Sequence, residues 1–182
     1  MRSPTSMYDA FARVLSYPDD RFGDALSELQ ALTADESLLL LPSISGHIHK
    51  FIDAVGSLPL EEMEDLYTRT FDITPLANLE IGWHLYGEQY ERGAFLVKMR
   101  ESLRASQIEE SVELPDHLTH VLLAFGRMEK PEADVFAVNY VLPALEKILA
   151  GFKDQKNPYQ DVLQSIKNTI EQYHVAGVTV HE

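Results

Sequence analysis

The feature that most limits what this chain can fold into is the spacing of its apolar residues. They recur at intervals of three and four through almost the whole length and never settle into the alternation of a strand. Tyr8, Phe11, Val14 and Leu15 fall on one side of a first helix, which must stop before Pro18 because a residue preceding proline is pushed out of helical geometry. A second helix from about Asp19 or Asp20 carries Phe22, Leu26, Leu29 and Leu32, and a third carries Ile44, Ile48, Phe51, Ile52 and Val55. A fourth begins near Ser57, with Pro59 suited to its first turn, and presents Met63, Leu66, Tyr67 and Phe71 inward.

Between Asp72 and Tyr90 the periodicity weakens, and Pro75, Asn78, Gly82 and Gly87 interrupt it, which predicts a long connection with short helical turns. Connections of that length in compact domains often carry function. Helical spacing returns from Gln89 to Ala105, with Phe95, Leu96, Met99 and Leu103 facing inward, and a polar loop follows from Ser106 to Glu113. Pro115 and Asp116 suit the first turn of a helix whose apolar face is Leu118, Val121, Leu122, Phe125 and Met128. From Pro131 to Phe152 the inward set is Val135, Val138, Leu142, Leu145, Ile148 and Leu149, with Pro143 expected to kink or split the helix. A last helix runs from Pro158, capped by Asn157, to His174, and the tail from Gly177 to Glu182 is too short and polar for a sheet. The expectation is an all-α, single-domain helical bundle of seven or eight helices over residues 1–182, a length sufficient to bury a substantial core.

Several kinds of chemistry drop out early. With no cysteine, the chain has no disulfide framework, thiolate metal site or Cys nucleophile. Met1 to Ser6 lack the apolar core of a secretion signal, and no window approaches a membrane span, so the expected location is cytoplasmic, without stable membrane insertion. A formal net charge of −14 disfavours nucleic acid and suits cationic partners. A di-iron bundle needs two Glu-x-x-His motifs, and only Glu171 to His174 fits. His117 and His120, three apart, make a weak metal pair, and no metal or other cofactor is expected. Glu80, His84, Glu88 and Glu91 read as a solvated acidic stretch, while Trp83, Tyr86 and Tyr90 interleave with them in a way that suits a partly apolar, partly cationic peptide or simply anchors the connection to the core.

Two motifs carry a family likeness: Tyr67-Thr-Arg-Thr-Phe71-Asp72, and Glu113-Leu-Pro-Asp116-His117-Leu118. They resemble the NarJ/TorD/DmsD superfamily of redox enzyme maturation chaperones. The run from Gly82 through Trp83, Tyr86, Gly87 and Glu88 to Arg92-Gly93, with Leu15-Ser-Tyr-Pro18 and Leu142-Pro143-Ala-Leu145, looks most like the nitrate reductase delta subunit branch. Thr70 stands where TorD-type members usually have an aliphatic residue, a departure from that branch.

The resemblance implies a non-enzymatic chaperone. It would bind the N-terminal or signal region of the catalytic subunit of a molybdopterin oxidoreductase while cofactor insertion and assembly proceed. Carried over to this chain, Asp116 and His117 become client-recognition candidates, with Glu113, Asp72, Tyr67, Phe71, Trp83, Tyr86 and Glu88 around them; Asp116 has capping and dipole compensation as its competing role. Arginines beside an apolar run need carboxylates and an apolar groove, which gives the acidic balance a purpose. Two rivals stand beside this reading: a metal- or ligand-binding helical enzyme using His84, Glu88, His117 and His120, and a permanent structural subunit of a redox complex. The client's identity and homodimerisation by helix exchange stay open.

Overall fold

A computed structural model of the chain describes residues 5–36, 40–73, 77–152 and 156–175. Pro75 and the tail from Gly177 lie outside the described residues. The elements are α1 (Thr5–Val14), α2 (Phe22–Thr33), α3 (Pro42–Val55), α4 (Leu60–Tyr67), α5 (Ile81–Tyr86), α6 (Tyr90–Ala105), α7 (Leu118–Phe125), α8 (Lys130–Phe136), α9 (Leu142–Gly151) and α10 (Pro158–Ile170). Among the described residues there is no strand, so the protein is all-α as the apolar spacing requires.

α10 lies along α3, α1 packs on α7 and α2, and α5 is held between α6 and α9. The first three helices bury the faces expected of them: Tyr8, Phe11 and Val14; Phe22, Leu26, Leu29 and Leu32; Ile44, Ile48, Phe51 and Val55. At the start of α10 the Asn157 side chain accepts from the Tyr159 N–H at 3.0 Å, satisfying one of the donors a helix N-terminus leaves free.

Among the described residues, three wider, π-type turns interrupt or extend the helices. One, Thr68–Asp72, extends α4; another, Ala137–Val141, joins α8 to α9; the third, Glu171–Val175, extends α10. The second has a plain cause. Pro143 brings no N–H, and the turn before it widens so that the Leu142 N–H reaches Ala137 O, leaving α8 and α9 continuous instead of broken. This segment also corrects the expected register, since Val135 and Val138 are exposed and Ala133, Phe136, Ala137 and Val141 face inward. Phe136 decides it: its ring packs against Phe95 and Phe125, and an aromatic ring buries more apolar area than either valine.

A second correction concerns Pro115 and Asp116, which precede α7 in a turn, leaving His117 as the N-cap. Instead of starting the helix they pair with the chain before α5. Ile81 N–H donates to Asp116 O at 3.0 Å and Leu118 N–H to Leu79 O at 2.7 Å, making an isolated antiparallel bridge of Glu80 with His117. That bridge brings two segments more than thirty residues apart to one spot.

Candidate functional site

The bridge and the π turn after α4 together build a surface pocket of about 330 Å³, lined by Phe71, Asp72, Asn78, Leu79, Glu80, Glu113 and His117. Buried Phe71, Leu79 and His117 form its base, and Asp72, Glu80 and Glu113 supply carboxylates from three separate segments. The π turn matters because Ile73 N–H reaches back to Thr68 O, which swings Phe71 inward and leaves Asp72 at the rim. Thr70 fixes that turn: its hydroxyl donates to Leu66 O and accepts from the Asn157 amide at 2.8 Å. An aliphatic residue there would forfeit both bonds, which accounts for the departure seen in the sequence.

The electrostatics are one-sided. Burial pushes the Glu113 carboxyl above its ordinary range, and repulsion from Asp72 and Glu80 adds to it; Asp72 is raised by burial as well. Ile73 and Leu114, each next in sequence to one of these acids, are exposed. His117 is different in kind. Its Nδ1 lies 2.7 Å from Thr119 Oγ1 and also faces the Thr119 N–H, and burial, with His120 adding to it, lowers its pKa to about 4, keeping it neutral.

Behind the pocket stands Asp116, which has no exposed surface. Arg92 reaches it from α6, Nε to Oδ2 at 3.3 Å, and also holds Glu80 Oε2 through Nη2 at 2.7 Å. The Arg92 guanidinium lies over the Trp83 ring, 5.6 Å from its centroid. Burial raises the Asp116 carboxyl while the Arg92 charge opposes the rise, and Oδ1 has no hydrogen-bond partner among the described residues. Two glycines make the arrangement feasible. A Cβ on Gly82 would lie 2.5 Å from Asp116 Oδ2, and Gly87, at φ +60°, makes the reversal between α5 and α6 that returns Arg92 to the site.

Of the residues expected from the sequence, Phe71, Asp72, Glu113 and His117 line the pocket. Tyr67 stands behind Phe71, ring against ring at 5.0 Å, with its hydroxyl donating to Leu15 O. Trp83 joins through Arg92, Tyr86 packs on Phe95 instead, and Glu88 is exposed on the turn after α5. Glu80 and Arg92 were missed. Glu80 belongs to no solvated stretch, being paired and only part-exposed; the signal that could have found Arg92 is its place in the Gly87-to-Gly93 run. Two of the three histidines of the rival enzyme reading have ring nitrogens engaged in the fold: His84 Nε2 donates to Asn78 O, while His120 accepts from Ser111 N–H and donates to Leu114 O.

A helical scaffold carrying an acid-rimmed pocket, apolar at its base and beside its rim, has the chemistry to receive a cationic, partly apolar group. The particular family follows from comparison. The nitrate reductase delta subunit family model matches residues 23–165, and the chain belongs to that family. It is similar to a protein of Bacillus subtilis (strain 168) named "Probable nitrate reductase molybdenum cofactor assembly chaperone NarJ", 24% identical over 165 residues that cover 90% of this chain and 88% of the relative. The branch indicated by the Gly82-to-Gly93 run is therefore the right one.

Proposed function

We propose that the protein is a cytoplasmic, single-domain chaperone that assists molybdenum cofactor insertion and assembly of a nitrate reductase by holding the N-terminal or signal region of its catalytic subunit. Family membership makes it an assembly factor and not an enzyme. The observation that carries the rest is the pocket. Asp72 and Glu113 have carboxylates without a hydrogen-bond or ion-pair partner among the described residues, in a cavity sized for a side chain, with exposed Ile73 and Leu114 alongside. Such a surface suits a client segment in which a basic residue sits beside apolar ones: the base meets the acids and its neighbours cover the aliphatic rim. Among the described residues no helix is long and apolar enough to cross a membrane.

The test is calorimetric titration with a synthetic peptide of about the first 25 residues of the catalytic subunit, ample for helix-in-groove or extended binding. Saturable binding should weaken as salt rises, and should fall roughly tenfold in the Asp72→Asn/Glu113→Gln double variant at unchanged melting temperature. Absence of binding at millimolar peptide sinks the proposal.

A further inference from the structure

Asp116 presents a paradox for any account in which it meets a client directly, because it has no exposed surface. Its one side-chain partner among the described residues is Arg92, itself only 18% exposed along the side chain. Arg92 in turn holds a single oxygen of Glu80, Oε2, and Glu80 lines the pocket with Oε1 left without a partner among the described residues. A free glutamate loses rotamer freedom whenever it binds something, whereas one already tied by an oxygen has lost most of it in advance.

We propose, on the reading of the pocket given above, that Arg92 and Asp116 are positioning residues for Glu80, and that Glu80 Oε1 contacts a client arginine beside Asp72 and Glu113. The chain of action runs outward from the core. Asp116, seated where Gly82 leaves room, anchors Arg92; Trp83 covers the guanidinium; Arg92 aims Glu80 at the cavity. A client guanidinium suits this site better than an ammonium, since its planar fork spans separated carboxylate oxygens. His117 supplies an independent indication that the pocket takes a ligand. It is 6% exposed and lines the cavity; Thr119 holds its Nδ1, which leaves Nε2 without a partner among the described residues, a buried polar atom in a pocket lined by carboxylates. A peptide answers both requirements, with arginine for the acids and a main-chain carbonyl or N–H for His117 Nε2.

The experiment titrates wild type, Glu80→Gln, Arg92→Lys and the double variant Arg92→Gln/Asp116→Asn with two versions of the catalytic subunit's N-terminal peptide. One is native, and the other has every arginine replaced by citrulline, which keeps the shape and removes the charge. The double variant deletes one charge of each sign, so the local net charge stays the same and only the aim of Glu80 is lost. Glu80→Gln should bind the native peptide about tenfold more weakly and the citrulline peptide almost as wild type does. The double variant should match it, with Arg92→Lys in between. If the double variant does not fold, Glu80→Gln, a near-isosteric change at a part-exposed position, decides alone. Native-peptide affinity at the wild-type level in Glu80→Gln overturns this inference and leaves the proposed function standing; so does an equal loss for both peptides, which would mark the network as fold support only. A wild type that binds neither peptide overturns both.

Discussion

On one side of the pocket Phe71 stands among rings, 5.0 Å from Tyr67 and 4.8 Å from Tyr159, with Phe51 a further 5.5 Å from Tyr159. On the other side Asp116 stands among charges and hydrogen bonds, with one guanidinium shared between it and Glu80. Both joints fix a wall of the same cavity, but they do so with different physics. Ring packing is short-ranged, scarcely directional and spread over many atoms, so it tolerates small errors. The charged joint is directional and concentrated in three side chains, so losing one partner strands another in a place water does not reach.

The contrast can be broken or sharpened by substitution. Phe71→Ala should cost the most, about 3–5 kcal/mol in urea unfolding, because it opens a cavity beneath the π turn; a loss below about 1 kcal/mol would mean the rings do not carry that wall. Arg92→Met should cost less, about 2–3 kcal/mol, the usual penalty for a broken buried pair being discounted for the residual exposure of Arg92. Its signature lies in pH. The Asp116 carboxyl is already raised by burial, so the folded state favours its protonated form, and removing Arg92 raises it further. The penalty should therefore be greatest near neutrality and shrink as pH falls toward the carboxylate range, read by comparing midpoints at about pH 7.5 and about pH 5. The Phe71→Ala penalty should not change in that way.

The smallest effect tests the aromatic joint from the opposite direction. Tyr159 is fully buried, and its hydroxyl has no hydrogen-bond partner among the described residues. Tyr159→Phe should be neutral or stabilising by up to about 1 kcal/mol, since it removes a desolvated polar atom and keeps the ring. Destabilisation in a thermal melt would show that the hydroxyl has a partner after all.

The sequence carried the aromatic joint in plain view. Met63, Leu66, Tyr67 and Phe71 share a helical face, and the apolar stripes of α1, α2 and α3 bury as their spacing requires. Local rules of that kind act within one or two turns, and so do caps, which is why Asn157 could be placed at the start of α10. They were less sure where two registers compete, as between Phe136 and its neighbouring valines. They failed at Pro115 and Asp116, where proline followed by an acid reads equally well as a helix start or as a turn.

The charged joint was illegible for a different reason. Glu80, Arg92 and Asp116 come from three segments with no shared period, and nothing local distinguishes a buried aspartate from a capping one. The family motifs pointed to Asp116 and His117 as client-recognition candidates, while Arg92 and Glu80, which the fold brings beside them, were not among the residues expected there. What the sequence by itself determined is therefore the all-helical class, most of the inward faces and the family. Which acids meet at one pocket, and which of them is paired, was decided only when Leu79 O and Ile81 N–H closed their hydrogen bonds across to Leu118 and Asp116. Helical periodicity is a property of neighbours in the chain, whereas charge pairing is a property of neighbours in space, and only the folded chain defines the second.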